Sequence, residues 1–200
     1  MKRFLNSSAL NQRKALIFAN EETMAWQLAL HVIEKPTPRV WMIFIPIFFV
    51  FYFWKLKEYE KGLKIFAENH LLSRRRTLDA AFDAEESDRP IDIQLLVSQV
   101  EELQEEARAA YAEWLTLLAG HYRLLLQARG DSYPALVRSA YHNKSNYLSF
   151  CRQLGTFESA FNMALLPTID GEITEIDYVN KKMTEGLNTM RRQDAQEIFS

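Results

Sequence analysis

The chain has 200 residues with 24 basic and 26 acidic side chains, so its formal net charge is −2. This balance provides no overall positive field to attract nucleic acid. The single cysteine, Cys151, cannot form an internal disulfide bond, which favours a reducing, cytosol-like environment for most of the chain. The six glycines and six prolines lie between apolar-periodic runs, a pattern that predicts an all-α protein.

Residues 1–38 are predicted to form an N-terminal unit built on an amphipathic helix over residues 7–34. Apolar or small residues recur at steps of three and four along it, at Leu16, Ala19, Thr23, Trp26, Leu30 and Ile33. The prolines at positions 36 and 38 end the helix. Its polar face mixes both signs of charge, so we expect it to pack on the rest of the protein rather than on a membrane.

The next segment, residues 39–57, contains an uncharged aromatic run and is predicted to insert in a membrane. The residues assigned to the membrane are Val40, Trp41, Phe44, Pro46, Phe48, Phe49, Phe51, Tyr52, Phe53 and Trp54. As a helix, residues 40–54 would be about 22 Å long, shorter than a ~30 Å hydrocarbon core. A single span is the preferred interpretation. A wedge bent at the proline and a buried core helix are the alternatives.

Basic residues are more numerous after the apolar run than before it, which predicts that residues 58–200 face the cytoplasm. A spanning helix would then export residues 1–39, whereas a wedge would keep both ends on one side, and the sequence leaves this open. Seven side chains beyond the run are predicted to contact lipid or a partner: Lys55, Lys57, Lys61, Lys64, Arg74, Arg75 and Arg76. An acidic stretch follows, because residues 79–113 contain eleven acidic and two basic residues.

The cytosolic part is predicted to be an antiparallel helical bundle or coiled-coil hairpin. The helix that begins near Arg39 continues to about Phe82, and the next, over residues 90–129, carries a regular seam. A third helix runs to about Leu154, where Gly155 breaks or kinks it before a short helix to Leu166. A final helix covers residues 172–197. The basic and acidic helices attract each other in this arrangement.

No pattern in the sequence predicts catalysis or a cofactor. None of the four histidines follows a glutamate at three residues, as a di-iron bundle requires, and one cysteine excludes a CxxC zinc site. His121 is interpreted as a core histidine, and a ligand or a pH-sensitive contact is the alternative. A metal or cofactor held by His121 or His142 would favour a third hypothesis, an enzyme whose site is assembled from several helices. Cys151 is interpreted as an inert core thiol. We therefore expect no catalytic, cofactor-binding or metal-binding residues.

Four short stretches within residues 34–82 carry a resemblance: EKP at 34–36, WMIFIP at 41–46, FYF at 51–53 and RRR at 74–76. They resemble an uncharacterised bacterial family of small membrane-anchored helical proteins, which implies a bacterial cytoplasmic-membrane setting. The leading hypothesis is a non-enzymatic membrane-anchored scaffold, adaptor or accessory subunit with a protein partner or a homo-oligomeric state. The alternative is a lipid-binding or membrane-shaping protein that uses the bent wedge and the basic helix.

Overall fold

The computed structural model describes the backbone of residues 2–35, 46–100, 103–165 and 173–200, and the side chains of residues 7–35, 56–100, 103–165 and 177–200. These parts of the chain contain helices joined by short connections and no strand, so the all-α prediction is confirmed. In chain order the helices are α1 (Lys2–Val32), α2 (Pro46–Ser87), α3 (Ile93–Ser98), α4 (Glu105–Gln127), α5 (Tyr133–Tyr141), α6 (Lys144–Leu165) and α7 (Ile173–Ile198).

Helices α1 and α2 lie antiparallel along most of their length. Near one end of the pair Ser7 donates a hydrogen bond to Glu86, and further along Lys14 pairs with Asp79 at 2.7 Å. At the other end, a small cluster buries Ala25, Ala29, Leu63 and Ala67. The small alanine side chains allow the two helix backbones to approach closely.

The predicted membrane-spanning helix is not found in the part of the chain that the structure describes, and the membrane location that was predicted from it is wrong. In the described ranges, no helix is both long enough and apolar enough to cross a bilayer. Val40, Trp41 and Phe44 lie outside the described residues, and Pro46 to Trp54 form the start of α2. Within α2 the apolar residues are followed at once by Lys55, Lys57 and Glu58, so this helix contains no apolar stretch of about 20 residues. The absence of a spanning helix among the described residues therefore contradicts the predicted cytoplasmic-membrane location, in which residues 58–200 face the cytoplasm.

The long helix predicted over residues 90–129 is two helices, α3 and α4. Asp92 caps α3 by accepting a hydrogen bond from the Leu95 backbone amide, and α3 ends after one and a half turns. Gln104 is extended and precedes α4. The interruption coincides with glutamates at positions 101, 102, 105 and 106, which would repel one another at spacings of four on a continuous helix.

The break predicted at Gly155 lies thirteen residues earlier. His142 adopts a left-handed conformation with φ 66°, and the Asn143 side chain accepts a hydrogen bond from the Asn146 backbone amide at the start of α6. Helix α6 then continues through Gly155, which faces α7. The glycine permits close helix packing there instead of ending the helix.

The main core lies around α4. Ten of its residues are buried, and they face α1, α2, α5 and α6. Leu124, which continues the three- and four-residue apolar spacing of the seam predicted over residues 90–129, is instead 47% exposed. Helix α7 packs against α6 and α1 and closes the other side of the core, in agreement with the helix predicted over residues 172–197.

Candidate functional site

Four charged side chains meet inside the protein, each from a different helix. Arg74 of α2 donates to Glu21 of α1 at 3.0 Å and to Glu158 of α6. Arg191 of α7 donates to the second oxygen of Glu158 at 2.6 Å. Tyr122 of α4 donates its hydroxyl to Glu21 at 2.8 Å. This buried ion network therefore connects five helices through side-chain hydrogen bonds.

The charges of the network balance, and each is stabilised by its partners. Burial on its own would raise the pKa of Glu158, but Arg191 and Arg74 outweigh it and lower that pKa below its usual value. Burial opposes the charge of Arg74, yet Glu21 and Glu158 raise its pKa above the usual range. Burial, followed by the charge of Glu21, raises the pKa of Tyr122. At neutral pH Arg74 and Glu158 are therefore ionised, and Tyr122 keeps its proton.

A cavity of about 180 Å³ lies beside Glu158 and is lined also by Ser73, His70 and Trp114. The Ser73 hydroxyl accepts a hydrogen bond from Tyr111 at 2.9 Å. Burial, then the charge of Arg74, lowers the pKa of His70 to about 3, so its imidazole is neutral and a weak base. Because the carboxylate is already occupied by two arginines, these groups form no nucleophile with an activating base.

His121 and Cys151, which the sequence analysis considered as candidate ligands or reactive groups, both lie in the core. His121 Nδ1 is 2.7 Å from the Tyr141 hydroxyl, and its ring stacks on Phe150 with 4.2 Å between centroids. The core-histidine prediction is confirmed, and burial lowers its pKa to about 3. Cys151 is also buried, and burial raises the pKa of its thiol to about 11. Among the described side chains, no group of three or more His, Cys, Asp and Glu residues is arranged to hold a metal ion.

The arginine triplet, predicted as one contact surface, divides in three directions. Arg74 is buried in the ion network, so the prediction that it contacts lipid or a partner is wrong. Arg75 lies over the Phe18 ring at 4.5 Å, and Arg76 lines a cavity of about 430 Å³ between α2 and the α3 region. A helix turns by about 100° per residue, so three consecutive side chains cannot share one direction.

The predicted contact lysines lie on the outer side of α2. Lys57, Lys61 and Lys64 are exposed, and Lys64 makes only a 3.8 Å pair with Glu68 in its own helix. The side chain of Lys55 lies outside the described residues. Their exposure does not test the predicted contact with lipid or a partner, which stays a prediction.

The same hairpin of α1 and α2 exposes four large apolar side chains. Trp26 and Leu30 of α1 are 45% and 49% exposed, and Ile65 and Leu72 of α2 are 46% and 49% exposed. The sequence predicted that the first two would lie on the packed face of α1. Instead Ala25, Leu28, Ala29 and Val32 are buried there. The packed face of α1 is therefore rich in alanine, and larger side chains point outward.

The sequence analysis did not identify the ion network. The sequence contains one signal for it, a charged residue at the spacing of buried residues. Glu21 has this spacing to Ile17 and Leu28, and Arg74 has it to Leu78. A charge at such a position is a candidate for a buried ion pair, but the local sequence does not show which helix provides its partner.

No family model, no curated protein and no solved structure matches this chain. The resemblance carried by residues 34–82 therefore stays a prediction.

Proposed function

We propose that this protein is a non-enzymatic adaptor that binds an amphipathic helix of another protein on the outer side of the α1–α2 hairpin. We call this the hairpin surface. Its apolar residues are Trp26, Leu30, Ile65 and Leu72, and its basic residues are Lys57, Lys61 and Lys64. The proposal rests on one observation. Trp26 and Leu30 are about half exposed and lie one helical turn apart.

The spacing of the exposed apolar residues favours a helical partner. Trp26 and Leu30 are four residues apart on α1, and Ile65 and Leu72 are seven apart on α2, so each pair forms a row along its helix. Ala25 and Ala29 pack with Leu63 and Ala67, which brings the two rows to the same level of the hairpin. Amphipathic helices bind grooves and ridges through anchors at these spacings, and tryptophan is enriched among the residues that dominate binding energy.

The charges around these residues are of both signs. Lys57, Lys61 and Lys64 are exposed on the same stretch of α2 as Glu58, Glu60 and Glu68. Lys57 and Lys61 make no ion pair among the described residues, and Lys64 has only the long contact to Glu68. Charged side chains on the rim of an apolar surface orient a partner and contribute modestly to affinity.

The buried ion network supports the same proposal, because it holds the two helices of the hairpin surface in place. Its carboxylates and guanidiniums bind one another and not a substrate, and together they fix α1 and α2 against α4, α6 and α7. A surface carried by a fixed helix pair loses little conformational entropy on binding.

Site-specific photo-crosslinking in the native host tests the proposal and identifies the partner. A photoreactive phenylalanine analogue replaces Leu30 in one variant and Leu124, which is 47% exposed on α4, in the matched control. We expect position 30 to give one defined adduct whose crosslinked peptide is an amphipathic helix of another protein. Position 124 should not give that adduct.

Three outcomes would overturn the proposal. An adduct with a second copy of this chain would identify the hairpin surface as a homo-oligomer interface. Equal adducts from positions 30 and 124 would show non-selective contact. The absence of any adduct from position 30 in correctly folded protein would show that no partner binds this surface.

A further inference from the structure

A groove between α6 and α7, on a different part of the protein from the hairpin surface, collects positive charge. Lys144 and Arg152 line it from α6, and Arg191 and Arg192 line it from α7. None of the eight described residues that line it is acidic. The chain as a whole contains slightly more acidic than basic residues, so this α6–α7 groove departs from the average surface.

Three of these cations are available to a ligand. Lys144, Arg152 and Arg192 are exposed, and within the described part of the chain they make no ion pair. Like charges that share a groove repel one another, and a bound anion relieves that repulsion. The groove therefore favours negatively charged ligands over neutral ones.

The fourth cation, Arg191, has a buried N–H group without a hydrogen-bond acceptor among the described residues. Arg191 is 5% exposed, and its Nη2 donates to Glu158 at 2.6 Å. Its Nη1 is buried and has no hydrogen-bond acceptor among the described residues. A buried N–H group without an acceptor is costly, and an anionic oxygen in the groove would satisfy it.

The dimensions of the groove limit the ligand to a small molecule. Its volume is about 300 Å³, at the lower end of the range for small-molecule sites. Leu148 and Cys151 form an apolar part of the wall, and Asn188 and Gln196 provide amides. A compact ligand with one charged group and a partly polar body matches this lining.

We propose that the α6–α7 groove binds a small phosphate ester, with its phosphate group held by Arg152, Arg191 and Arg192. Arginine is the side chain best suited to this, because its planar guanidinium donates two parallel hydrogen bonds to phosphate oxygens. A phosphate presents three terminal oxygens, which suits three guanidiniums better than the two oxygens of a carboxylate. Lys144 contributes a further positive charge at the edge of the groove.

Isothermal titration calorimetry with ribose 5-phosphate as the probe tests this inference on the full chain. We expect saturable binding of ribose 5-phosphate and a rise in Tm, no binding of ribose, and weaker binding of inorganic phosphate. Raising the salt concentration should weaken the binding.

The double variant Arg152→Ala, Arg192→Ala should lose at least about a hundredfold in affinity, about tenfold for each charge-assisted contact. Lys181→Ala with Arg129→Ala is the matched control, since it removes the same charge from exposed positions outside the groove. It should bind ribose 5-phosphate as the unmodified chain does. Unchanged melting of both variants without the probe establishes that each is folded.

Equal loss in both double variants would overturn the inference, because the effect would then be one of net charge. Equal binding of sulfate and ribose 5-phosphate, or no saturation at millimolar probe, would also overturn it. The result is independent of the proposed adaptor function, because Trp26→Ala with Leu30→Ala should leave probe binding unchanged.

Discussion

Arg191 of α7 donates a 2.6 Å hydrogen bond to Glu158 of α6, and the other oxygen of the same carboxylate accepts from Arg74 of α2. One glutamate therefore joins three helices. The attraction between buried charges offsets their desolvation penalty only when the pairing geometry is good. Such a network therefore specifies one arrangement of the helices more than it adds to net stability.

Replacing Glu158 with glutamine should strongly destabilise the protein. Arg191 would remain buried with no carboxylate opposite it, and Arg74 would keep only Glu21, a loss that typically costs about 3–5 kcal/mol. The free energy of unfolding, measured by urea titration, gives the cost. Glu185→Gln on the exposed side of α7 is the control and should change it by no more than about 0.5 kcal/mol. Equal effects of the two substitutions would contradict the network.

Stability should fall as the pH drops below about 6.5. Burial holds the pKa of His121 at about 3 in the folded protein, against 6.5 in the unfolded chain. Between these values only the unfolded chain takes up the proton, so the full stability is present above pH 6.5 and is lost progressively toward pH 3. One such histidine contributes a loss of about 2 kcal/mol between pH 6.5 and 5.

Urea titrations at pH 7.5 and pH 5 compare the unmodified chain with His121→Asn. The variant should lose about 2 kcal/mol less stability over this interval, whatever its stability at pH 7.5. His142→Asn, which removes an exposed imidazole, is the control. An unaltered pH dependence in His121→Asn would show that the ring is not held neutral.

The sequence predicted the helices better than their interfaces. The uninterrupted runs of helix-compatible residues that predicted helices over residues 7–34 and 172–197 are local signals, and α1 and α7 follow them closely. Apolar periodicity continues at Val100 and Leu103 across the division between α3 and α4, so it predicted one helix there. The repulsion between glutamates four residues apart, at 101 and 105 and at 102 and 106, is a local signal against a continuous helix that apolar periodicity does not contain.

Which side of a helix is buried was harder to predict for α1. The periodicity rule gives weight to large residues, and it selected Trp26 and Leu30. The close approach of α2 instead requires small residues, so Ala25 and Ala29 face inward. Likewise the aromatic run ending at Trp54 predicted a membrane span, but no described helix is long and apolar enough to cross a bilayer. The error on α1 arises because partner helices, which a local pattern does not contain, decide which side of a helix is buried.

Two glycines with different surroundings should respond oppositely to alanine. A Cβ at Gly186 of α7 would lie 2.7 Å from His31 Cδ2 and 3.2 Å from Leu28 Cδ1, whereas at Gly120 of α4 nothing lies within 4 Å. Gly186→Ala should therefore lower the free energy of unfolding by about 1 kcal/mol through overpacking. Gly120→Ala should raise it by about 0.5–1 kcal/mol through helix propensity. Thermal and urea unfolding of the two variants check this, and a stabilised Gly186→Ala would refute the close α1–α7 contact.

Cys151 should react slowly with thiol reagents in the folded protein. It is buried, and a thiol pKa of about 11 leaves roughly one thiolate in three thousand at pH 7.5. Maleimide labelling followed by mass spectrometry measures the rate, which should rise sharply in denaturing urea. Ser149→Cys in a Cys151→Ser background places a thiol at an exposed position of α6 and should label rapidly without urea. Equal rates for the two thiols would contradict the burial of Cys151.

The most direct test of the adaptor function is the affinity of the partner segment captured at position 30, measured by calorimetry with the purified chain. Trp26→Ala with Leu30→Ala should weaken binding at least about a hundredfold, since these are the central anchors of the hairpin surface. Leu95→Ala with Leu124→Ala removes equally exposed apolar side chains elsewhere and should change the affinity less than about twofold. Equal affinities for both double variants would contradict the account.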